Sequence, residues 1–221
     1  MNNQDILSHV DHTLLKATAT WDDIKKIAED SIKYHTASIC IPQSYIKRLH
    51  ETYGESINIC TVVGFPLGYN STESKVTEVK QALADGANEI DMVINIGDCK
   101  DHNYQKIEDE IRTLKEACGN HILKVIIETC YLTDEEKIAM CKAVTNAKAD
   151  YIKTSTGFGT AGATMEDILL FKANIGPNVK MKAAGGIRSV KDMEDYLAVG
   201  VDRLGTSSAI KLIEGQEAKG Y

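Results

Sequence analysis

The sequence predicts an α/β protein: a single-domain (β/α)8 TIM barrel over residues 1–221, with an extra N-terminal helix. Three observations carry that prediction. A strand-then-helix rhythm runs from end to end with no linker or low-complexity stretch, and Pro occurs only at positions 42, 66 and 177. Several strand-like runs are apolar at nearly every residue, as parallel strands buried on both faces are. Eight such runs alternate with helices, which favours a closed barrel over an open doubly wound sheet.

The runs cover residues 11–15, 38–42, 58–63, 89–95, 123–128, 151–155, 179–184 and 201–205. The count of eight rests on the first. Residues 3–9, ahead of it, read as an extra helix capping the barrel bottom. Between the strands, Val76, Val79 and Leu83 share one helix face, and Ile107, Ile111, Leu114 and Cys118 share another. Helix starts are marked by Thr20 with Asp23, Asn70 with Glu73, Thr133 with Glu136, Thr164 with Asp167 and Ser189 with Asp192. In each, a side-chain oxygen accepts from an orphan N–H and an acid sits where the helix dipole favours it. Asp85-Gly86 and Val199-Gly200 read as helix ends. Residues 214–221 read as a flexible tail.

Bulk properties exclude several classes. The chain has 43% apolar and 26% charged residues and a net charge of -7, so nucleic acid is not expected as its main partner. Its first residues lack the basic and apolar regions of a signal peptide, and the apolar runs are too short for a membrane span; a cytoplasmic location is expected. Six cysteines without a CxxC pair predict neither a disulfide framework nor a zinc site. Gly157-Phe158-Gly159-Thr160-Ala161-Gly162 matches GxGxxG, but the dinucleotide reading needs an acid about 20 residues on. Lys180-Met181-Lys182-Ala183 stands there instead. A barrel loop near a phosphate is the better account.

Barrel chemistry gathers at strand C-terminal ends. The sixth strand places Lys153 there and the seventh Lys182, each followed by small residues and glycine. Neighbouring strands lie roughly 4.8 Å apart, so two inward lysines would share one site. Like charge and desolvation both favour a neutral amine, the form that attacks a carbonyl. The alternative is that both lysines are structural ion pairs with inner carboxylates. Lys180 has the same parity as Lys182 but lies nearer the barrel bottom, where a structural role is expected. On the fourth strand Asp91 faces inward; it is either a proton shuttle or a salt-bridge partner of Lys124, and both can hold. Gly185-Gly186-Ile187-Arg188-Ser189 and Gly205-Thr206-Ser207-Ser208 follow the last two strands. Barrels often bind phosphate there, with glycine admitting backbone N–H groups and serine adding donors.

These segments, with Asp11-His12-Thr13-Leu14-Leu15, Cys60 through Gly68, Glu89 through Asn95 and Leu123 through Thr129, closely resemble the deoxyribose-phosphate aldolase family. KTSTGF at 153–158 and KAAGGIR at 182–188 are the most specific matches. The resemblance implies a class I aldolase that needs no metal or cofactor, cleaving 2-deoxy-D-ribose 5-phosphate to acetaldehyde and D-glyceraldehyde 3-phosphate in deoxyribose catabolism. It implies Lys153 as the Schiff-base lysine, Lys182 as the second catalytic lysine, which holds positive charge and keeps Lys153 uncharged, and Asp91 as the proton relay, supported by Lys124 and Asp11. Family phosphate contacts fall on Gly185, Gly186, Ser207 and Ser208, with Gly205 and Thr156 nearby. Phe158 stands where some members carry a lysine, so that contact does not carry over. The resemblance further implies a homo-oligomer, a dimer or larger. Tyr221, in the tail, is a candidate to reach into the site and assist proton transfer. Cys40, on the second strand, is expected to be a buried, inert thiol.

Overall fold

A computed structural model of the chain describes residues 1–216. Eight strands close into a barrel in sequence order, every neighbouring pair parallel. They are β1 (Val10–Thr13), β2 (Ser38–Ile41), β3 (Ile59–Val63), β4 (Glu89–Val93), β5 (Ile122–Ile126), β6 (Tyr151–Lys153), β7 (Lys180–Ala184) and β8 (Arg203–Thr206). Each lies within two residues of its expected start and end. β6 is the shortest: residues 154–155 leave the ladder at the barrel top, although the Thr154 N–H still reaches the Lys182 carbonyl at 3.1 Å.

The helices among the described residues are α1 (Asn3–Leu7), α2 (Trp21–Tyr34), α3 (Ile46–Tyr53), α4 (Thr72–Ala84), α5 (Ile96–Lys100), α6 (Tyr104–Cys118), α7 (Asp134–Asn146), α8 (Met165–Asn174), α9 (Val190–Val199) and α10 (Ala209–Ile213). The expected extra helix is α1. It is capped by Asn2 and Asp5, buries Ile6 and Leu7, packs against α9 and α10, and leads into the lower end of β1. Thr20, Thr133 and Ser189 make full capping boxes with the acid three residues on, and Thr164 accepts from the Asp167 N–H. The expected cap at Asn70 is corrected: Ser71 is the cap, accepting from the Ser74 N–H at 3.3 Å. The helix therefore starts at Thr72, and Glu73 lies inside its first turn, where the dipole still favours its charge.

Strand alternation sorts the core into two regions. The outward residues of the sheet, such as Val10, Ile39, Ile59, Ile90, Leu123, Ile152 and Leu204, form one apolar layer with the helices. The inward positions depart from the branched aliphatic filling usual in barrels. Asp11, Glu89, Asp91, Lys124, Lys153 and Lys182 are all buried there. A small apolar patch of Leu15, Cys40 and Cys60, flanked by Val62 and Phe65, completes the inside. Gln216, the last described residue, donates its N–H to the Lys211 carbonyl at 2.8 Å; Tyr221 lies outside the described residues.

Candidate active site

Asp91 is the hub of the barrel interior. Its Oδ2 accepts from Lys153 Nζ and Lys182 Nζ, both at 2.7 Å, and its Oδ1 accepts from Lys124 Nζ at 2.9 Å. Strand register builds this meeting. Asp91 lies opposite Lys124, and Lys153 opposite Lys182, while Lys153 pairs with Ile126, two residues beyond Lys124, so the two pairs form a charged layer two inward positions deep. Closure of β8 onto β1 adds Asp11 and Arg203: Lys182 Nζ and the Arg203 guanidinium each reach an Asp11 carboxylate oxygen at 2.5 Å. Glu89 lies beneath, bound by Lys124 at 2.5 Å and by Arg203 at 2.9 Å.

Four cations thus share three carboxylates, and they do not share them equally. Lys124 touches Asp11, Glu89 and Asp91; Lys182 touches Asp11 and Asp91; Arg203 touches Asp11 and Glu89. Lys153 touches Asp91 alone, on the oxygen it shares with Lys182. Burial pulls Lys182 toward the neutral amine, but Asp11 and Asp91 outweigh it and hold the group well above the usual lysine range. Lys124 is held high in the same way, by Asp91 first among its partners. Burial alone would raise Asp91, yet Lys124, Lys153 and Lys182 keep it well below the usual carboxylate range. Lys182 is thus held charged by carboxylates from β1 and β4, against burial and its like-charged neighbours.

Above this layer opens a cavity of about 480 Å³. Lys153 forms part of its wall, together with Thr156, Gly185, Gly186, Gly205, Ser207 and Ser208, the positions expected at the phosphate. Asp11, Asp91, Lys124 and Lys182 lie beneath its floor, fully buried. Gly185 and Gly186 have φ of +73° and +74°, conformations that side chains strain to adopt. Gly162 explains the end of the GxGxxG run. A Cβ there would come within 2.3 Å of the Gly185 carbonyl carbon. The last glycine of the motif lets two loops touch, and Ala163 N–H then bonds both the Ala184 and Gly185 carbonyls at 3.1 Å.

Sequence reasoning passed over Glu89, Arg203 and Glu128. Glu128 ends the fifth strand run in a left-handed conformation, φ +53°, and is 2% exposed. Its carboxylate accepts from the Thr156 N–H at 3.1 Å and, at short range, from the Thr156 hydroxyl. Burial raises the Glu128 carboxyl, against the pull of those two bonds. The Thr156 hydroxyl proton is therefore spent on Glu128, and Thr156 can offer a phosphate shape but not that donor. An acid closing an apolar strand was the available signal. Lys180 is exposed and lies over the Tyr151 ring at 5.7 Å, clear of the cavity wall. Phe158 is 48% exposed and meets Phe65 edge-on, with ring centroids 5.3 Å apart. Cys40 is buried, as expected.

A barrel with a lysine at the wall of a glycine-rimmed cavity defines an enzyme of the Schiff-base type. The chain belongs to the DeoC/LacD family of aldolases, whose family model matches residues 6–211. It is 72% identical to the deoxyribose-phosphate aldolase of Clostridium botulinum (strain Alaska E43 / Type E3) over the full length of both chains. It is 53% identical to that of Clostridioides difficile (strain 630), covering 98% of this chain and 99% of the relative. Among solved structures it resembles the tetrameric deoxyribose phosphate aldolase of Aeropyrum pernix, with a TM-score of 0.87 and 29% identity over 97% of this chain and 92% of that one.

Proposed function

We propose that this chain is a class I aldolase that reversibly cleaves 2-deoxy-D-ribose 5-phosphate to acetaldehyde and D-glyceraldehyde 3-phosphate, in deoxyribose catabolism. The observation that carries the reading is the unequal sharing of carboxylates: Lys153 has one partner where its fellow cations have two or three, and it faces the cavity. It is the one lysine of the cluster that both meets the cavity and has a single ion pair to give up.

In this reading the neutral Lys153 amine attacks C1 of the open-chain sugar phosphate. The carbinolamine loses water to give an iminium ion. Asp91, with Lys182 beside it, relays the C3 hydroxyl proton away while the C2–C3 electron pair flows into the iminium. Glyceraldehyde 3-phosphate leaves, and the enamine is protonated and hydrolysed to acetaldehyde. Lys182, held charged by Asp11 and Asp91, keeps positive potential where negative charge develops. Lys124 and Asp11 support that network from below. The N–H groups of Gly185, Gly186 and Ser207 and the hydroxyls of Ser207 and Ser208 receive the phosphate at the rim beside Gly205, and Thr156 shapes the wall opposite; the Ser208 N–H already donates to the Thr206 hydroxyl.

Incubation with acetaldehyde and borohydride, followed by peptide mass mapping, tests the assignment. A reduced two-carbon adduct on Lys153 is expected. An adduct on another lysine, or none with phosphate binding intact, overturns it. The proposal includes a homodimer in the cytoplasm; among the described residues no helix is long and apolar enough to cross a membrane. Light scattering on the purified chain checks the assembly.

A further inference from the structure

Inside the barrel, next to the proposed relay carboxylate, lies a group of side chains that the aldol chemistry does not use. Cys40 on β2 and Cys60 on β3 are register partners and both face inward. Their sulfur atoms and an Asp91 oxygen lie within 4.8 Å of one another. Cys60 Sγ is 3.2 Å from Asp91 Oδ1 and 3.3 Å from Lys124 Nζ. Tetrahedral zinc with thiolate and carboxylate ligands holds them roughly 3.5–3.8 Å apart. Small side-chain shifts therefore close the set.

We infer that Cys40, Cys60 and Asp91 form an inhibitory site for a thiophilic divalent ion of the zinc and cadmium class. The inhibitory part rests on the proposed function; the binding part does not.

Charge decides whether an ion can enter so cationic an interior. With both thiols protonated, the cluster holds the four cations and three carboxylates described above, one positive charge in excess. When M²⁺ binds, two S–H bonds break, two M–S bonds form, and two protons leave to solvent. The net charge of the buried cluster is unchanged. The Cys40 thiol is already pulled below its usual value by its hydrogen bond with Cys60. Burial pushes Cys60 the other way, so its proton is the harder one to displace. A second grouping, Asp11, Cys60 and Glu89, is less apt: it offers a thiophilic ion one thiol instead of two, and an ion there would have to displace cations from two carboxylates instead of one. The route in lies beside the substrate cavity. Thr13, the register partner of Cys40, and Leu15, which packs on it, both line that cavity.

An ion here takes Asp91 Oδ1 from Lys124 and sets a dication beside the carboxylate that relays protons. Turnover should fall by roughly 10²-fold, the usual worth of a positioned acid–base group, with KM for the sugar phosphate little changed.

The test titrates Cd²⁺ into the full-length chain carrying Cys130→Ser, which removes the half-buried thiol, and reads the ultraviolet thiolate-to-cadmium charge-transfer band. One ion per chain is expected, with an affinity that climbs by up to about two logarithmic units per pH unit because two protons are released. Adding Cys40→Ser should abolish the band and leave turnover resistant to Cd²⁺ and Zn²⁺; EDTA should restore the parent. A band that survives Cys40→Ser overturns the site. A band that vanishes in Cys40→Ser, with the parent rate untouched by metal, overturns the inhibitory role. The band reads binding without any aldol chemistry, so failure of the aldolase reading leaves this test intact.

Discussion

Two regions of this molecule bury ionisable groups, and burial acts on them in opposite ways. Outside the barrel wall, Lys75 of α4 is fully buried with one carboxylate, Glu110 of α6 at 2.8 Å, and the Val93 carbonyl at 2.9 Å. Burial wins there and pulls Lys75 below the usual lysine range despite Glu110. His12, on the outer face of β1, is likewise pushed down by burial, to about 4. One residue earlier on the same strand, Asp11 faces inward; burial would raise it, but Lys182, Lys124 and Arg203 hold it well below the usual range. The lesson is that a buried charge is decided by the number of its partners. Access decides the rest: Lys75 is absent from the lining of the cavity above the charged cluster, whereas Lys153 forms part of it. A buried lysine is closed off in the first setting and borders a cavity in the second.

The largest expected effect separates the two lysines. Lys153→Leu should lower kcat/KM by roughly 10⁴-fold or more, as loss of a covalent nucleophile does, whereas Lys75→Met should leave it near normal. Comparable kinetic losses in both would erase the distinction.

Asp91→Asn should lower kcat by roughly 10²- to 10⁴-fold. Single-turnover trapping should show that chemistry, not substrate binding, is slowed.

On the outer side the effect is on stability. Glu110→Gln leaves Lys75 charged without a counter-ion and should cost about 3–5 kcal/mol, the usual penalty for breaking a buried pair. Urea denaturation reads this, and Lys75→Met combined with Glu110→Leu should recover most of it.

His12 gives a pH test of the same side. Its folded value, about 4, lies below the usual histidine value of 6.5, so the unfolded chain takes up the proton first. The His12 contribution is intact above pH 6.5 and is lost as pH falls from there toward 4, by roughly 3 kcal/mol in total. Denaturation midpoints across that window should lose most of this slope in His12→Asn.

The smallest effect concerns the rim. In Gly162→Ala the new methyl meets the Gly185 backbone. The rim must shift, and KM for the phosphorylated sugar should rise about tenfold, a loss of roughly 1.4 kcal/mol in binding, with kcat little altered. An unchanged KM would mean that these loops do not hold the phosphate.

Much of this was legible in the sequence because barrel strands obey local rules. Parity put Asp91, Lys153 and Lys182 on the inside, and glycine-led loops after the last two strands marked the rim. The helix caps were legible for the same reason, each depending on residues three apart. The start of α4 slipped by one because Asn70 and Ser71 are both competent caps, and which oxygen reaches the free N–H depends on how the chain leaves β3. Glu128 was missed because its role is a contact with Thr156, on the next strand's loop.

By itself, the sequence determined the strand count, the inward lysines and the family, since these follow from local pattern and from motifs that lie on single strands. Tertiary structure alone decided how charge is shared. Asp11 and Arg203 sit 192 residues apart and meet because β8 closes against β1. That closure gives Lys182 its second carboxylate and leaves Lys153 with one. A Coulomb interaction depends on distance through space, so how the buried cations divide their carboxylates is set by the closed barrel and not by any stretch of chain.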